Sequence, residues 1–158
     1  MAKAQNYRPP EFGTLTLHLT VPGGAAKYID FLTRAFGAQE RGRSVTPDCR
    51  LMHATIAIGD SVLMLNDDFR DWGAPPVAEG RWPVVLNLYV PDADKALEQA
   101  LAAGCELKFP LQDQFWGDRY CQVQDPFGFT WALATHIEDL TPEELQERQK
   151  AMFSGTHP

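Results

Sequence analysis

Positive charge is scarce in this chain: 14 Lys and Arg stand against 21 Asp and Glu, a formal net charge of -7 at pH 7. A surface of that sign repels nucleic-acid phosphates and anionic lipid headgroups, so neither nucleic acid nor membrane is expected as a partner. Cysteine is scarcer still. Cys49, Cys105 and Cys121 are an odd number, without the density of a disulfide framework or the spacing of a zinc cluster, which points to a reducing compartment. No apolar run reaches the ~20 residues that span a bilayer. The opening MAKAQNYRPPEF has no apolar core of a secretion signal, so the expectation is a cytoplasmic protein.

What is present is apolar content and repetition. With 44% hydrophobic residues in 158, the chain can bury the core of one domain or of two half-domains. The organising stretch is Asp125 to His136, DPFGFTWALATH. Asp125-Pro126-Phe127-Gly128 reads as a tight turn, because Pro fixes φ and Gly accepts a positive φ. In the strand that follows, Phe129, Trp131 and Leu133 point one way and the small Thr130, Ala132 and Ala134 the other, so the narrow face is expected to border a space. The phrase has a fainter copy at Ala57 to Leu65. Upstream, Leu19-Thr20-Val21-Pro22 and Leu88-Tyr89-Val90-Pro91 each lead into a helix that ends at a glycine, Gly37 or Gly104, an offset of about 69 residues. The pattern is a duplicated βαβββ module.

The expected boundaries are an arm over 1–13, a first module over 14–66, a linker over 67–83, a second module over 84–136, and a capping helix with tail over 137–158. In the first module, Thr14 to Val21 alternates, with Leu15, Leu17, Leu19 and Val21 towards a helix over 25–36 and His18 on the other face. A strand weakened by Gly42 follows at 39–45. The strand at 51–58 places His53 opposite Met52 and Ala54, and the strand at 61–66 closes the module. In the second module, a strand over 84–90 and a helix over 93–103 are followed by strands at 106–110, 119–124 and 129–135. Thr141-Pro142-Glu143-Glu144 reads as a capping box opening the last helix.

Candidate site residues follow from this parity. His18 and His53 share the polar side of the first module, as hydrogen-bonded cavity histidines or as a two-histidine site, although an intervening strand is expected to separate them. Asn87 and Tyr89 share the corresponding side of the second. Trp116, Asp118 and Arg119 in FWGDRY offer a flat apolar ring, a carboxylate and a planar cation suited to an aromatic or anionic small molecule, or else a hairpin held by its own ion pair. Asp125 and Gly128 belong to the turn. His136 caps the last strand or is solvated at its end.

The paired modules, with YIDFLTRAFGA, MHATIAIGDSVLML, DQFWGDRY and DPFGFTWALATHIEDLTPEE, resemble the vicinal oxygen chelate superfamily, the glyoxalase and bleomycin-resistance group, and within it the PhnB-like branch. The resemblance implies an α+β fold of paired βαβββ modules forming a cupped eight-stranded mixed sheet, helices on its outer face, around a ligand cleft, commonly in a homodimer. It also implies where a metal would be held. The family's four ligand positions fall near Thr16, Met64, Val85 and Ala132, or, with a one-pair shift, at His18 and Asn87 for the first and third. Neither set suits a divalent metal. The expectation is therefore a small-molecule-binding protein with no tightly held catalytic metal, His18 and His53 being the residues that would hold one. The alternative is a metal-dependent lyase, isomerase or dioxygenase.

Overall fold

The structure is a computed structural model and describes residues 8–72 and 84–154. The chain divides into two compact units, Met1–Glu79 and Gly80–Pro158. Each holds one βαβββ module built on a four-stranded mixed sheet, so the α+β duplication read from the sequence is present.

In the first unit, β1 (His18–Val21) leads into α1 (Ala25–Phe36), and β2 (Gln39–Val45), β3 (Leu51–Ile58) and β4 (Ser61–Asp67) follow. The sheet order is β1-β4-β3-β2, with β1 parallel to β4 and the other pairs antiparallel. Cross-strand partners share a face, so Leu19, Leu65 and Ala54 form one row, with Ile56 and Leu63 beside them, and α1 packs over these strands. The helix buries Ala25, Tyr28, Ile29, Phe31, Leu32 and Ala35. Phe31 is buried, whereas Phe36 is only half-buried and closes edge-on against it. Gly37 ends the helix at φ 66, a left-handed cap that a side chain would strain.

No side chain of the Gly24 N-cap serves the start of α1. Asp67 does so from the end of β4, its Oδ1 accepting the Ala25 N–H at 2.6 Å while Oδ2 accepts the Leu51 N–H at 2.5 Å. One carboxylate thus ties the helix's positive end to the start of β3. The expected module end at 66 and linker start at 67 are corrected by one residue. Residues 73–83 of that linker lie outside the described residues. The expected start of β1 at Thr14 is also corrected: Leu15 is 88% exposed and Leu17 43% exposed, because ladder pairing with β4 begins only at His18.

In the second unit, β5 (Val85–Tyr89), α2 (Ala93–Ala102), β6 (Glu106–Asp113), β7 (Asp118–Gln124) and β8 (Thr130–His136) repeat the order, and the sheet runs β5-β8-β7-β6. Asp92 caps α2 by accepting the Lys95 N–H at 3.0 Å. The turn before β8 is held by the buried Asp125, whose Oδ1 accepts the Phe127 and Phe129 N–H groups and whose Oδ2 accepts Trp131 Nε1 at 2.9 Å. Trp131 and Leu133 are buried on the α2 side. The narrow face of β8 is also buried, contrary to expectation. Ala132 is flanked in register by Asn87 and Gln122, and Ala134 by Tyr89 and Tyr120, whose longer side chains stand on either side of the methyl groups.

The last helix, α3 (Pro142–Ser154), opens with the expected capping box: the Thr141 N–H donates to Glu144 Oε2 at 2.8 Å, and the Glu144 N–H to Thr141 Oγ1 at 3.2 Å. Among the described residues no helix is long and apolar enough to cross a membrane.

Candidate functional site

On the face of the first sheet opposite α1, His18 and His53 stand two strands apart with β4 between them. Strand spacing near 4.8 Å would separate their backbones by about 10 Å. Their rings nevertheless meet, centroids 5.8 Å apart at 78°, since both side chains lean over β4. The strand expected between them is there, and the two side chains reach across it. Burial, and then the charge of His53, hold the His18 imidazole below its ordinary value, so it favours the neutral form. Thr20 Oγ1 donates to Asn66 Oδ1 at 3.2 Å beside them.

Register decides which residues stand at the family-implied metal positions. Met64 pairs with His18, not Thr16, and Ala132 pairs with Asn87, so the shifted alternative is the one the ladders support. These pairs offer one imidazole, one thioether, one amide and one methyl group. A Lewis-acid metal needs several nitrogen or carboxylate donors converging on one point, and this donor set does not fit it. Among the described residues no group of three or more His, Cys, Asp or Glu is placed to hold a metal ion.

The second sheet carries a denser arrangement. Asp118, the first residue of β7, is buried at 5% exposure, yet its carboxylate is fully used. Oδ2 accepts the Tyr89 hydroxyl and Trp116 Nε1, each at 3.0 Å, and Oδ1 lies 2.8 Å from His136 Nδ1. The other ring nitrogen of His136 lies 3.0 Å from Asp139 Oδ1. Carboxylates accept and do not donate, so satisfying both contacts requires both ring nitrogens to carry protons. Accordingly Asp118 first, and Asp139 second, raise the His136 pKa above its ordinary value. The hydrogen bond to Asp118 likewise raises that of Tyr89.

Trp116 is delivered to Asp118 by the hairpin between β6 and β7. Gly117 sits at φ 92, and its carbonyl accepts the Ile137 and Glu138 N–H groups at 2.9 and 3.1 Å. A Cβ there would lie 2.3 Å from the Glu138 carbonyl oxygen, so only glycine lets the hairpin and the strand end approach this closely. From Trp116 an aromatic run continues along the sheet. The ring meets Tyr120 edge-on at 5.5 Å, Tyr120 meets Phe109 at 6.0 Å, and Phe115 meets Trp116 at 5.1 Å. Asn87 and Tyr89 lie on this same face of the sheet, exposed, with Tyr89 at 61%.

Arg119 does not join them. Adjacent residues of a strand point to opposite faces, and β7 begins at Asp118, so Arg119 turns to the α2 side. There it pairs with Asp94 of α2 at 2.6 and 2.7 Å and with Asp113 at 3.0 Å. Of the residues singled out in sequence, the structure therefore groups Asn87, Tyr89, Trp116 and Asp118, groups His18 with His53, and removes Arg119. His136 and Tyr120 were missed as site members. Parity could have found both, since 132, 134 and 136 alternate on one face of β8 opposite 122, 120 and 118.

A family model described as Glyoxalase/Bleomycin resistance protein/Dioxygenase superfamily matches residues 17–133. An uncharacterized protein of Mycobacterium bovis is 39% identical over 145 residues, covering 89% of this chain and 95% of that protein. Among solved structures, FosX, a genomically encoded fosfomycin resistance protein from Listeria monocytogenes complexed with Mn(II) and sulfate, is similar with a TM-score of 0.60 at 20% identity. That likeness covers 87% of this chain and 97% of FosX. The PhnB protein from Bacillus cereus is similar with a TM-score of 0.63 at 15% identity, over 78% of this chain and 99% of that one. At these identities the two structures share the fold.

Proposed function

Since the chain belongs to the Glyoxalase/Bleomycin resistance protein/Dioxygenase superfamily, we propose that it binds a small flat organic molecule against the aromatic face of its second sheet, without a tightly held catalytic metal. The observation that carries this reading is the run Phe115, Trp116, Tyr120 and Phe109 beside the exposed Tyr89. Flat rings gain from stacking on such a surface, about 0.5–1.5 kcal/mol per aromatic pair beyond the area buried. Asp118 serves this surface indirectly. Its hydrogen bonds fix the Trp116 and Tyr89 side chains, so that a ligand meets them already ordered and loses less entropy on binding. With Arg119 neutralised on the other face and a net charge of -7, the ligand is neutral or cationic. In this reading the protein is a cytoplasmic homodimer of the PhnB-like branch, and His18 and His53 are cavity histidines.

The second reading is a metal-dependent lyase, isomerase or dioxygenase. The 5.8 Å approach of the His18 and His53 rings favours it, and two imidazoles would need water or substrate to complete a coordination shell. A panel of flat heteroaromatic compounds screened against the chain and its Trp116→Ala variant tests the proposal. Hits should bind the parent and lose roughly tenfold or more on Trp116→Ala, about 1.4 kcal/mol. Hits that bind both equally, or an empty screen, would refute it.

A further inference from the structure

The first unit has a cavity of its own, about 610 Å³, on the side of the sheet that carries His18 and His53. Its floor is Thr55 and Ala57 of β3 and Val62 of β4, a hydroxyl set among apolar groups, and Arg41, Glu11 and Asp60 line it with charge. A β-bulge puts Arg41 there. Glu40 pairs with Ile56 and Gly42 with Thr55, so Arg41 is the extra residue of β2, and a bulge of this kind re-aims the side chain it contains.

Two features leave the cavity open to an occupant. The first is Gly42. Its φ lies outside the left-handed region, and a Cβ added to it would meet no atom within 4 Å, so neither backbone nor packing requires glycine at this place. What glycine does is leave the space beside Thr55 empty. The second is Arg41 itself. In a chain with more acids than bases, Arg43 pairs with Glu40, Arg50 with Asp48 and Asp71, and Arg70 with Asp68, whereas Arg41 has no hydrogen-bond or ion-pair partner among the described residues. Its guanidinium is free to take an anion from outside, in the bidentate geometry that suits a carboxylate.

We propose that this cavity binds a small zwitterion of the amino-acid type, its carboxylate on Arg41, its ammonium between Glu11 and Asp60, and its apolar body on Ala57 and Val62. A simple anion would be repelled by the two carboxylates and a simple cation would leave Arg41 unmatched, whereas a zwitterion sets each of its charges against the opposite one. The site goes beyond the reading above, since none of the residues of the aromatic face lines it.

The test is a titration of the full chain, followed by backbone amide shifts, with the standard L-amino acids and with the N-acetyl and amide derivatives of the strongest binder. At least one amino acid should shift the amides of residues 55–62, and each derivative, having lost one charge, should bind about tenfold more weakly. Arg41→Gln should weaken binding to a similar degree. Gly42→Val should block the cavity while leaving the fold intact, as its Cβ enters open space and valine suits a strand. Trp116→Ala should leave amino-acid binding unchanged, which keeps this result separate from that of the aromatic face. No shift with any amino acid, or binding that survives both Arg41→Gln and Gly42→Val, would overturn the proposal.

Discussion

Replacing Asp118 with Asn keeps the shape of the buried side chain and removes its charge, so it isolates what the carboxylate does. Trp116 Nε1 can only donate, which fixes the asparagine oxygen towards Trp116 and Tyr89 and turns the amide NH2 towards His136 Nδ1. His136 must then present a bare Nδ1 as acceptor. Hydrogen bonds to a charged acceptor contribute about 1.5–3 kcal/mol against about 0.5–1.5 for neutral ones. The half-buried Trp116 bond should lose about 1 kcal/mol of that difference. The bond from the exposed Tyr89 loses less, because water competes for it, so the variant should be destabilised by about 1–2 kcal/mol in urea unfolding. The second readout is the His136 titration. Its pKa is raised in the folded chain, chiefly by the Asp118 hydrogen bond, so its stabilising effect is fully present below the ordinary 6.5 and is lost as pH rises through the raised folded value. Asp118→Asn should bring the folded pKa down towards 6.5 and flatten that pH dependence, observable in imidazole ¹H–¹⁵N spectra. An unchanged His136 titration, with stability within about 0.5 kcal/mol of the parent, would refute the assignment of Asp118 as the centre of the cluster.

Gly117→Ala should be more damaging than its size suggests, about 1–3 kcal/mol from the left-handed φ alone and more from the clash with the Glu138 carbonyl, read as a fall in the urea midpoint. Arg119→Gln should leave ligand binding at the aromatic face unchanged and the urea midpoint little moved, since its ion pairs with Asp94 and Asp113 are solvent-screened; a large loss of affinity would return it to the site.

The duplication, both module helices and the Asp125 turn were legible because each rests on local chemistry: helical spacing, a glycine cap, a Pro-Phe-Gly turn. What failed needed information that alternation does not carry. Thr14 to Leu17 alternates as well as any strand, but a strand needs a partner, and the ladder with β4 starts at His18. A strand beginning at Arg119 makes Asp118 and Arg119 one polar unit at a loop end; β7 begins at Asp118, and parity sends the two side chains to opposite faces. The His18–His53 approach depends on side-chain rotamers across a middle strand, which neither spacing nor hydropathy encodes. The alanines of β8 suggested a space, yet their burial depends on the larger cross-strand neighbours that register supplied. His136 gained its role from a buried carboxylate 18 residues away in sequence.

The central claim, ligand binding without a tightly held catalytic metal, is tested most directly by elemental analysis of protein purified without chelator, offered Mn, Fe, Ni and Zn, and then dialysed. The donor pairs His18–Met64 and Asn87–Ala132 predict less than stoichiometric metal after dialysis, with no difference between the parent and His18→Ala. One metal per chain that survives dialysis and disappears on His18→Ala would contradict the account and establish the metal-dependent reading in its place.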